Sequence, residues 1–555
     1  MMKMKRKPRV PRKGPITAIV EATVKAFSPQ RALQRSAARA ILDQGPEFFL
    51  GGYQGGKITR TTDNWNPTDY LADEALLQDL KKLRSRSEDL VRNSSDASGV
   101  ITTFIANVIS TGIRPQSRVN EKALGISQEE ADAFQEAAEH AWENWVPYAD
   151  AKDILDFYEI QAQTERSMLV AGEAFLLRRM IDGVRPYSLA LEMIDPSRVD
   201  TPTDMQGKGI RSGIELDGSG QPIAIWVQQI NWKDPKKPRK LSSEGFTRIP
   251  IWDEETGLRN VLHLYYQERP GQSRGIPMFA PVLDLLNHVE GYVEAEVVAA
   301  RVAACVALFI TTQNPYGMAT ANATSHNDDA ERLERMRPGI IQYLLPGQDM
   351  KSFSVDRPGG QFEPFLQAMM RRFGSAWGLP YELISKDFSK TNYSSARAGL
   401  LQAYRVFRYR QAWLGRKLCQ NVWEWLLQEA FLRGQLGDID YMEQAQEWNR
   451  AAWITPGWEW VDPLKEAQAA KVSMENYLSA LADESASRGK NWEQTLEQQA
   501  REQAKREELG LPQPGVKPVA ASGSQGLSDV DLMGLIARRW EESLNRMKTE
   551  GQGEG

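Results

Sequence analysis

The sequence predicts an α+β fold, and three observations carry that reading. Apolar residues recur at helical spacing through most of residues 74–170, short β-rich runs replace them from Gly172 to Gln267, and two very long helical patterns follow Pro277. In the first region Val100, Phe104, Val108 and Ile109 mark a helix stopped at Gly112, after a helical stretch over Glu74–Asn93. Further helices are predicted over Gln128–Trp145 and Ile154–Val170. In the second region EAFLLRRM, YSLALEMI, GIRSGIEL, PIAIWVQQ and NVLHLYYQ read as strands, and Asp217-Gly218-Ser219-Gly220 is a hairpin signal.

After the break at Arg269–Pro277 comes a single helical pattern over Val282–Thr312, about 31 residues and roughly 46 Å long at 1.5 Å per residue. It is acidic at its start (Asp284, Glu290, Glu294, Glu296) and apolar at its end. Residues 313–357 are loop-rich, with a charged helix expected at Asp328–Met336 and a strand-like GIIQYLL. A helix over Phe362–Trp377 leads into a polar loop. A helix over Ser395–Arg433 follows, with Leu400, Tyr404, Phe407, Leu414, Leu418, Val422, Leu426 and Ala430 at helical spacing. Helical stretches at Pro463–Glu484 and Trp492–Leu509 come before a Pro/Gly/Ser-rich linker, residues 512–527. From Ser528 an amphipathic helix is expected, with Met533, Ile536, Trp540, Leu544 and Met547 on one face.

Bulk properties bound the function. A chain of 555 residues is too long for one core, and 41% apolar with 25% charged residues is ordinary globular composition. Cys305 and Cys419 both sit in apolar helical patterns and are expected to be packed thiols in a reducing compartment. The N-terminal arm, residues 1–45, carries Lys3, Lys5, Arg6, Lys7, Arg9, Arg12 and Lys13 with no acid before Glu21. Pro11, Lys13 and Pro15 interrupt any signal-peptide core. An inert basic arm and an arm that touches nucleic acid or a scaffold both fit. The most apolar run, Val297–Ile310, has 14 residues and contains Arg301, so a soluble protein without a membrane span is expected. A net charge of −5 lacks the concentrated basic excess of a protein that grips duplex DNA, and is compatible with one along which DNA slides.

Two enzyme-like motifs fail on local chemistry. Gly51 to Lys57 matches GxxxxGK, but Ile58 stands where a phosphate loop needs Ser or Thr, and no helix pattern follows. Gly271-Gln272-Ser273-Arg274-Gly275 matches GxSxG, yet Pro277 and Pro281 delay the helix that a nucleophile elbow requires at its serine. Only His288 and His326 follow Ser273 among four histidines. No histidine or cysteine pair has metal-ligand spacing, so no metal or other cofactor is expected. His140 reads as a partly buried helix residue.

One stretch carries the functional reading. Gly378–Leu401 contains GLPYEL, then Asp387, then Asn392-Tyr393-Ser394-Ser395-Ala396-Arg397-Ala398-Gly399. This resembles the signature of the lambda-like family of phage portal proteins. Similar blocks are LRSRSEDLVRN leading to STGIRPQ, the segment RPGQSRG, and AAWITPGWEWVDPLKEAQA; Tyr477 stands where that family has a glycine. The resemblance spans roughly residues 75–510. It implies a portal-type fold with an α/β wing (46–280), a stem helix (281–312), a small clip (313–357) and a second stem helix, tunnel loop and long wing helix (358–435). A helical crown (436–511) and the linker with its C-terminal helix (512–555) complete it. It further implies a closed homo-oligomeric ring of twelve subunits in the virion, at the capsid vertex, assembled in the bacterial host cytoplasm and without enzymatic activity of its own. Double-stranded DNA would pass through it, driven inward by the terminase large subunit and later ejected. The major capsid or scaffolding protein and the head-tail connector proteins would be its other partners, and proteolytic trimming of the N-terminus is part of the family pattern. The competing readings are a connector or scaffold ring of another phage family, and a serine hydrolase using Ser273.

The basic residues around the signature are Lys386, Lys390 and Arg397, then Arg405, Arg408, Arg410, Arg416 and Lys417, with no acid from Arg397 to Glu424. Pairing between subunits with the acidic stem and crown is one reading. The other is that the loop enters the channel and its lysines brush DNA phosphates, each contact screened and weak. Asn392, Ser394 and Ser395 are candidates to cap the helix that follows.

Overall fold

Capping chemistry delimits the helices of the first half. Following α1 (Ala72–Leu76) and α2 (Leu80–Asn93), α3 (Ser95–Val108) starts where Ser94 accepts the Ala97 N–H, and buries Val100, Ile101, Phe104 and Val108. The short strand β1 (Arg114–Ser117) and a helical turn α4 (Glu121–Leu124) precede α5 (Gln128–Trp145). Ser127 and Glu130 form a reciprocal capping box at the start of α5, which buries Phe134, Ala138, Ala141, Trp142 and Trp145. α6 (Phe157–Val170) starts at a second such box, Asp156 with Glu159. The computed structural model describes residues 63–234, 239–304, 308–312, 348–352, 360, 362–458 and 463–511. Met1–Tyr70 and Leu71–Gly555 are separate units, and every element named here belongs to the second. The basic arm, the GxxxxGK match, Cys305, the Asp328–Met336 helix, GIIQYLL, the linker and the C-terminal helix lie outside the described residues.

Two antiparallel sheets follow. β2 (Glu173–Met180) is the centre of a three-stranded sheet between β3 (Leu189–Ile194) and β8 (Val261–Tyr265). The second sheet runs in order β4 (Ile210–Arg211), β5 (Ile214–Leu216), β6 (Pro222–Gln228) and β7 (Phe246–Pro250). Phe175, Leu177, Ile194, Ile214, Ile225 and Val261 form the small core shared by the two sheets. The Asp217–Gly220 turn joins β5 to β6 as the sequence predicts. GIRSGIEL is two strands rather than one, because Ser212 and Gly213 both adopt positive φ and reverse the chain.

The predicted helix over Val282–Thr312 is shorter than expected: α7 is Leu283–Ala304, 22 residues or about 33 Å. Residues Leu308–Thr312 are β9, paired antiparallel with β10 (Gln348–Ser352). Phe309, Ile310, Thr311 and Thr312 are aromatic or β-branched, and a strand partner is enough to take them out of the helix. α8 (Phe362–Trp377) matches its predicted bounds.

The longest helical rod begins two residues earlier than expected. It is α10 (Tyr393–Leu414), a π turn (Gly415–Cys419) and α11 (Gln420–Leu432), preceded by the short α9 (Tyr381–Ser385). Its apolar face is the spine of the main core. Phe407 meets Phe104 edge-on at 5.4 Å, and Trp423 packs 5.6 Å from Trp142, which also contacts Phe157 and Trp453. Cys419 is a buried free thiol whose pKa burial pushes up, consistent with a packed cysteine.

After α12 (Ala445–Trp448), β11 (Ala451–Ile454) pairs with β1, joining the chain's two ends of this unit. Three exposed helices close it: α13 (Pro463–Glu475), α14 (Leu481–Ser487) and α15 (Trp492–Glu508). The predicted Pro463–Glu484 helix is therefore split, and the break is at Tyr477. That residue keeps the left-handed turn of a glycine, at φ 57° and 96% exposed. A β-carbon in that region costs roughly 1–2 kcal/mol, and full exposure removes the alternative of burying the ring.

A buried charge cluster fixes the two sheets to α2. Glu173 is fully enclosed; Arg274 Nε donates to both its oxygens at 2.9 and 3.0 Å, Arg274 Nη2, Arg84 and His263 also bond to it, and the Gly275 N–H adds a fifth donor at 3.0 Å. Burial alone would raise the Glu173 pKa, but Arg274 and Arg84 more than offset it and hold the carboxyl well below its ordinary value. Burial brings Arg84 down to about 10 and lowers His263. Gly275 is obligatory here, since a Cβ would lie 2.0 Å from the Gly172 carbonyl oxygen.

Glu173→Gln would leave two enclosed guanidiniums without a counter-charge, an expected loss of about 3–5 kcal/mol, read as a fall in the denaturant midpoint. Glu139, on α5, gives a pH dependence of opposite origin. Burial, aided by nearby Glu493 and Glu143, raises it from 4.5 to about 7 although the Ser117 N–H bonds to it. Because the folded state holds this proton more tightly, its stabilisation is complete below pH 4.5 and disappears as pH rises through about 7. Glu139→Gln should therefore raise the thermal midpoint at pH 8, with the gain shrinking toward pH 5.

Candidate functional site

The signature stretch is held at both ends. α8 is anchored by Trp377, which packs edge-on to Phe279 at 5.4 Å and donates its indole N–H to the Met278 carbonyl. Gly378, at φ 69°, ends α8, and the Leu379 N–H closes the turn on the Gly374 carbonyl at 2.9 Å. A Cβ on Gly378 would sit 3.0 Å from Val406, so α10 passes directly over this turn. α9 then ends at Lys386, which itself takes the left-handed conformation at φ 56°.

Between α9 and α10 the loop is braced by its own polar side chains. Asp387 accepts the Ser389 N–H at 2.9 Å and the Ser389 hydrogen bonds lower its pKa. Thr391 Oγ1 donates to Glu382 at 2.8 Å, tying the far end back to α9. Asn392 accepts the Ser395 N–H at 2.9 Å and caps α10. Of the three predicted capping residues, Asn392 performs the task; Ser394 and Ser395 are exposed within the first helical turn. From Tyr393 onward NYSSARAG is therefore helix, with Asn392 as its cap, and Tyr393 on the first turn is half exposed.

The predicted basic residues separate into different environments. Lys386 is exposed and makes no ion pair among the described residues. Lys390 is exposed too, but bonds to Glu363 on α8, which raises its pKa. Arg397 is half buried and pairs with Glu466 of α13 at 3.2 Å. Arg410 turns inward, pairs with the enclosed Glu165 at 2.5 Å and lies over the Phe104 and Tyr266 rings. Arg408 covers Trp458. Sequence spacing brings Lys386 and Lys390 onto one loop; it does not reveal Glu363 or Glu466 as partners, since both come from other helices.

Ser273 does not have the geometry of a nucleophile elbow. It is 7% exposed, its N–H bonds to Asp73, its Oγ has no hydrogen-bond partner, and the next helix starts ten residues on at Leu283. The neighbouring Arg274 is the residue with a task here, and the sequence analysis missed it. Its one signal was a charged residue between the two glycines of the junction that leads from the last strand to the long helix. Among the described residues no His, Cys, Asp and Glu group could hold a metal ion, and no helix is long and apolar enough to cross a membrane.

The described residues form an α+β chain with a long core helical rod, broken by a π turn, and a braced polar loop at its start. The family model for phage portal proteins of the lambda family matches residues 59–411, more than half the chain, and the chain belongs to that family. It is 26% identical to the portal protein of Escherichia phage N15 over 502 residues, covering 84% of this chain and 91% of the relative. It is 24% identical to portal protein B of Escherichia phage lambda, over 83% and 91%. A probable portal protein of Halomonas phage phiHAP-1 is 26% identical, over 85% and 90%. Among solved structures, a chain from the virion of a native gene transfer agent particle superposes with a TM-score of 0.37 at 14% identity, covering 81% of this chain and 95% of that one. So loose a superposition transfers no arrangement of subunits.

Asn392→Ala removes the cap of α10. The expected cost is about 1 kcal/mol of stability, with faster amide hydrogen exchange confined to residues 393–396.

Proposed function

We propose that this chain is the portal subunit of a phage capsid, a closed ring of twelve copies through which double-stranded DNA is packaged and ejected. Family membership over residues 59–411 is the observation that carries the reading. In this role the protein performs no chemistry. The ring holds a passage of fixed width at one vertex of the virion, docks the terminase large subunit, sits in the shell of major capsid or scaffolding protein, and later receives the head-tail connector proteins. Assembly takes place in the bacterial host cytoplasm. The duplex is retained by encirclement, so an acidic chain needs no large basic face.

Within this reading, the 386–391 loop is the part of the chain that meets DNA. Its support is mechanical: the loop is pinned by Gly378, Thr391 and Asn392, and presents cations without burying them. Lys386 is the stronger candidate because it has no counter-ion among the described residues, whereas DNA must compete with Glu363 for Lys390. Each contact is screened within about 10 Å in physiological salt, which suits a surface past which phosphates slide. The predicted site residue Arg397 is tied to Glu466 and serves to hold α10 against α13.

Electron microscopy of the purified protein is expected to show a mushroom-shaped ring with a central hole as wide as a duplex. Lys386→Ala with Lys390→Ala should leave that ring intact and lower DNA packaged or retained, with Lys386→Ala alone giving most of the effect. Normal packaging by the double variant would remove the loop from the DNA path.

A further inference from the structure

Two helix faces carry opposite charge and leave it unpaired among the described residues. On α5, Glu129, Asp132, Glu136 and Glu143 recur at intervals of three, four and seven residues, which places them on one side of the helix. All four are exposed, and the opposite side of α5 is the one buried against the core through Phe134, Ala138 and Trp142. On α10 and into the π turn, Arg405, Arg408 and Arg416 are exposed on the side opposite Ala403, Phe407, Gln411 and Leu414. Leu401 and Tyr409, 52% and 60% exposed, lie on or beside that basic side.

None of these seven charged side chains forms an ion pair among the described residues, although such pairs are common elsewhere in them. The two stripes have similar lengths, about 21 Å from Glu129 to Glu143 and about 16 Å from Arg405 to Arg416 at 1.5 Å per residue. A face that is complementary to another face of the same molecule, and not to itself, makes head-to-tail contacts between copies, which is the kind of contact that builds a ring.

We propose that adjacent copies of this chain meet with the acidic outer face of α5 of one against the basic outer face of α10 of the next. The proposal rests on the ring reading above and names the surfaces by which the ring forms. Charge matching sets the register and speeds encounter, and Leu401 and Tyr409 supply apolar area beside the arginines. DNA is the other polyanion that could lie on the α10 face, but DNA gives no role to the acidic stripe on α5.

Charge reversal tests this with an internal control. One variant carries Glu129→Lys, Asp132→Lys and Glu136→Lys; the other carries Arg405→Glu, Arg408→Glu and Arg416→Glu. Ring formation is followed by native mass spectrometry and light scattering, with circular dichroism and thermal midpoint verifying the fold of each variant. Each reversal alone places like charges opposite one another and should reduce the ring fraction roughly tenfold or more. Both reversals in one chain should restore rings, and so should an equimolar mixture of the two single-face variants, whose alternating copies are again complementary. Wild-type rings should weaken as salt rises. If the α10 variant does not fold, the α5 variant and the salt series still decide the matter. Normal rings from a folded single-face variant, or no rescue by the double reversal, overturn the interface alone. Normal rings with lost DNA packaging in the α10 variant assign that face to DNA and overturn it as well. A wild-type chain that forms no ring overturns the ring reading and the interface together.

Discussion

The arrangement of both sheets depends on keeping one carboxylate charged where no water reaches it. Glu173 begins the central strand β2, and three separate segments supply its donors: α2 through Arg84, β8 through His263, and the 271–275 segment through Arg274 and the Gly275 N–H. Two guanidiniums around one carboxylate leave a positive excess. Backbone carbonyls absorb it, with Arg84 donating to Ala171 and Arg274 to Pro196, Val199 and Ser212. These carbonyls belong to the strand connections of both sheets, so the cluster sets where the loops run as well as how the strands align. A buried ion pair contributes little net stability over an apolar substitute, but it is intolerant of alternatives. Only one register of β2 brings Glu173 to Arg274.

Much of the fold was legible because it is local. The Asp217–Gly220 hairpin, the bounds of α8, the Asn392 cap and the start of the β region at Gly172 all follow from residues within a few positions of each other. The misreadings are where a distant partner decided. Leu308–Thr312 continues an apolar helical pattern until a strand from residues 348–352 claims it. GIRSGIEL has strand composition throughout, yet Ser212 and Gly213 turn it back on itself. β1 and β11 pair across more than three hundred residues, and neither RPQS nor AAWI has a pattern that announces its partner. Tyr477 shows the reverse case, a turn that survives a residue poorly suited to it because neighbouring helices fix its ends.

The candidate site was legible to a different extent. The family blocks locate the loop, and the lysines on it are visible at once. What spacing cannot supply is which cations are already neutralised. Lys390 and Arg397 are answered by Glu363 and Glu466, from helices that precede and follow the loop, while Arg410 is withdrawn into the core beside Glu165. A basic run that looks uniform in the sequence is thus partitioned by tertiary structure into a brace, a core ion pair and a residual exposed set.

The π turn at Gly415–Cys419 gives the long rod a property that a plain helix lacks. Each residue of an α-helix advances about 100° around the axis, so one residue accommodated in a wider turn offsets everything beyond it by about that angle. The rod is mechanically continuous from Tyr393 to Leu432 but has two phases, one before the turn and one after. The two halves can therefore each key their own apolar residues into the core, Phe407 and Leu414 before the turn and Trp423 and Leu426 after it. The azimuth of the loop is thereby set by residue count along the rod as well as by the contacts that pin the loop to α8 and α9.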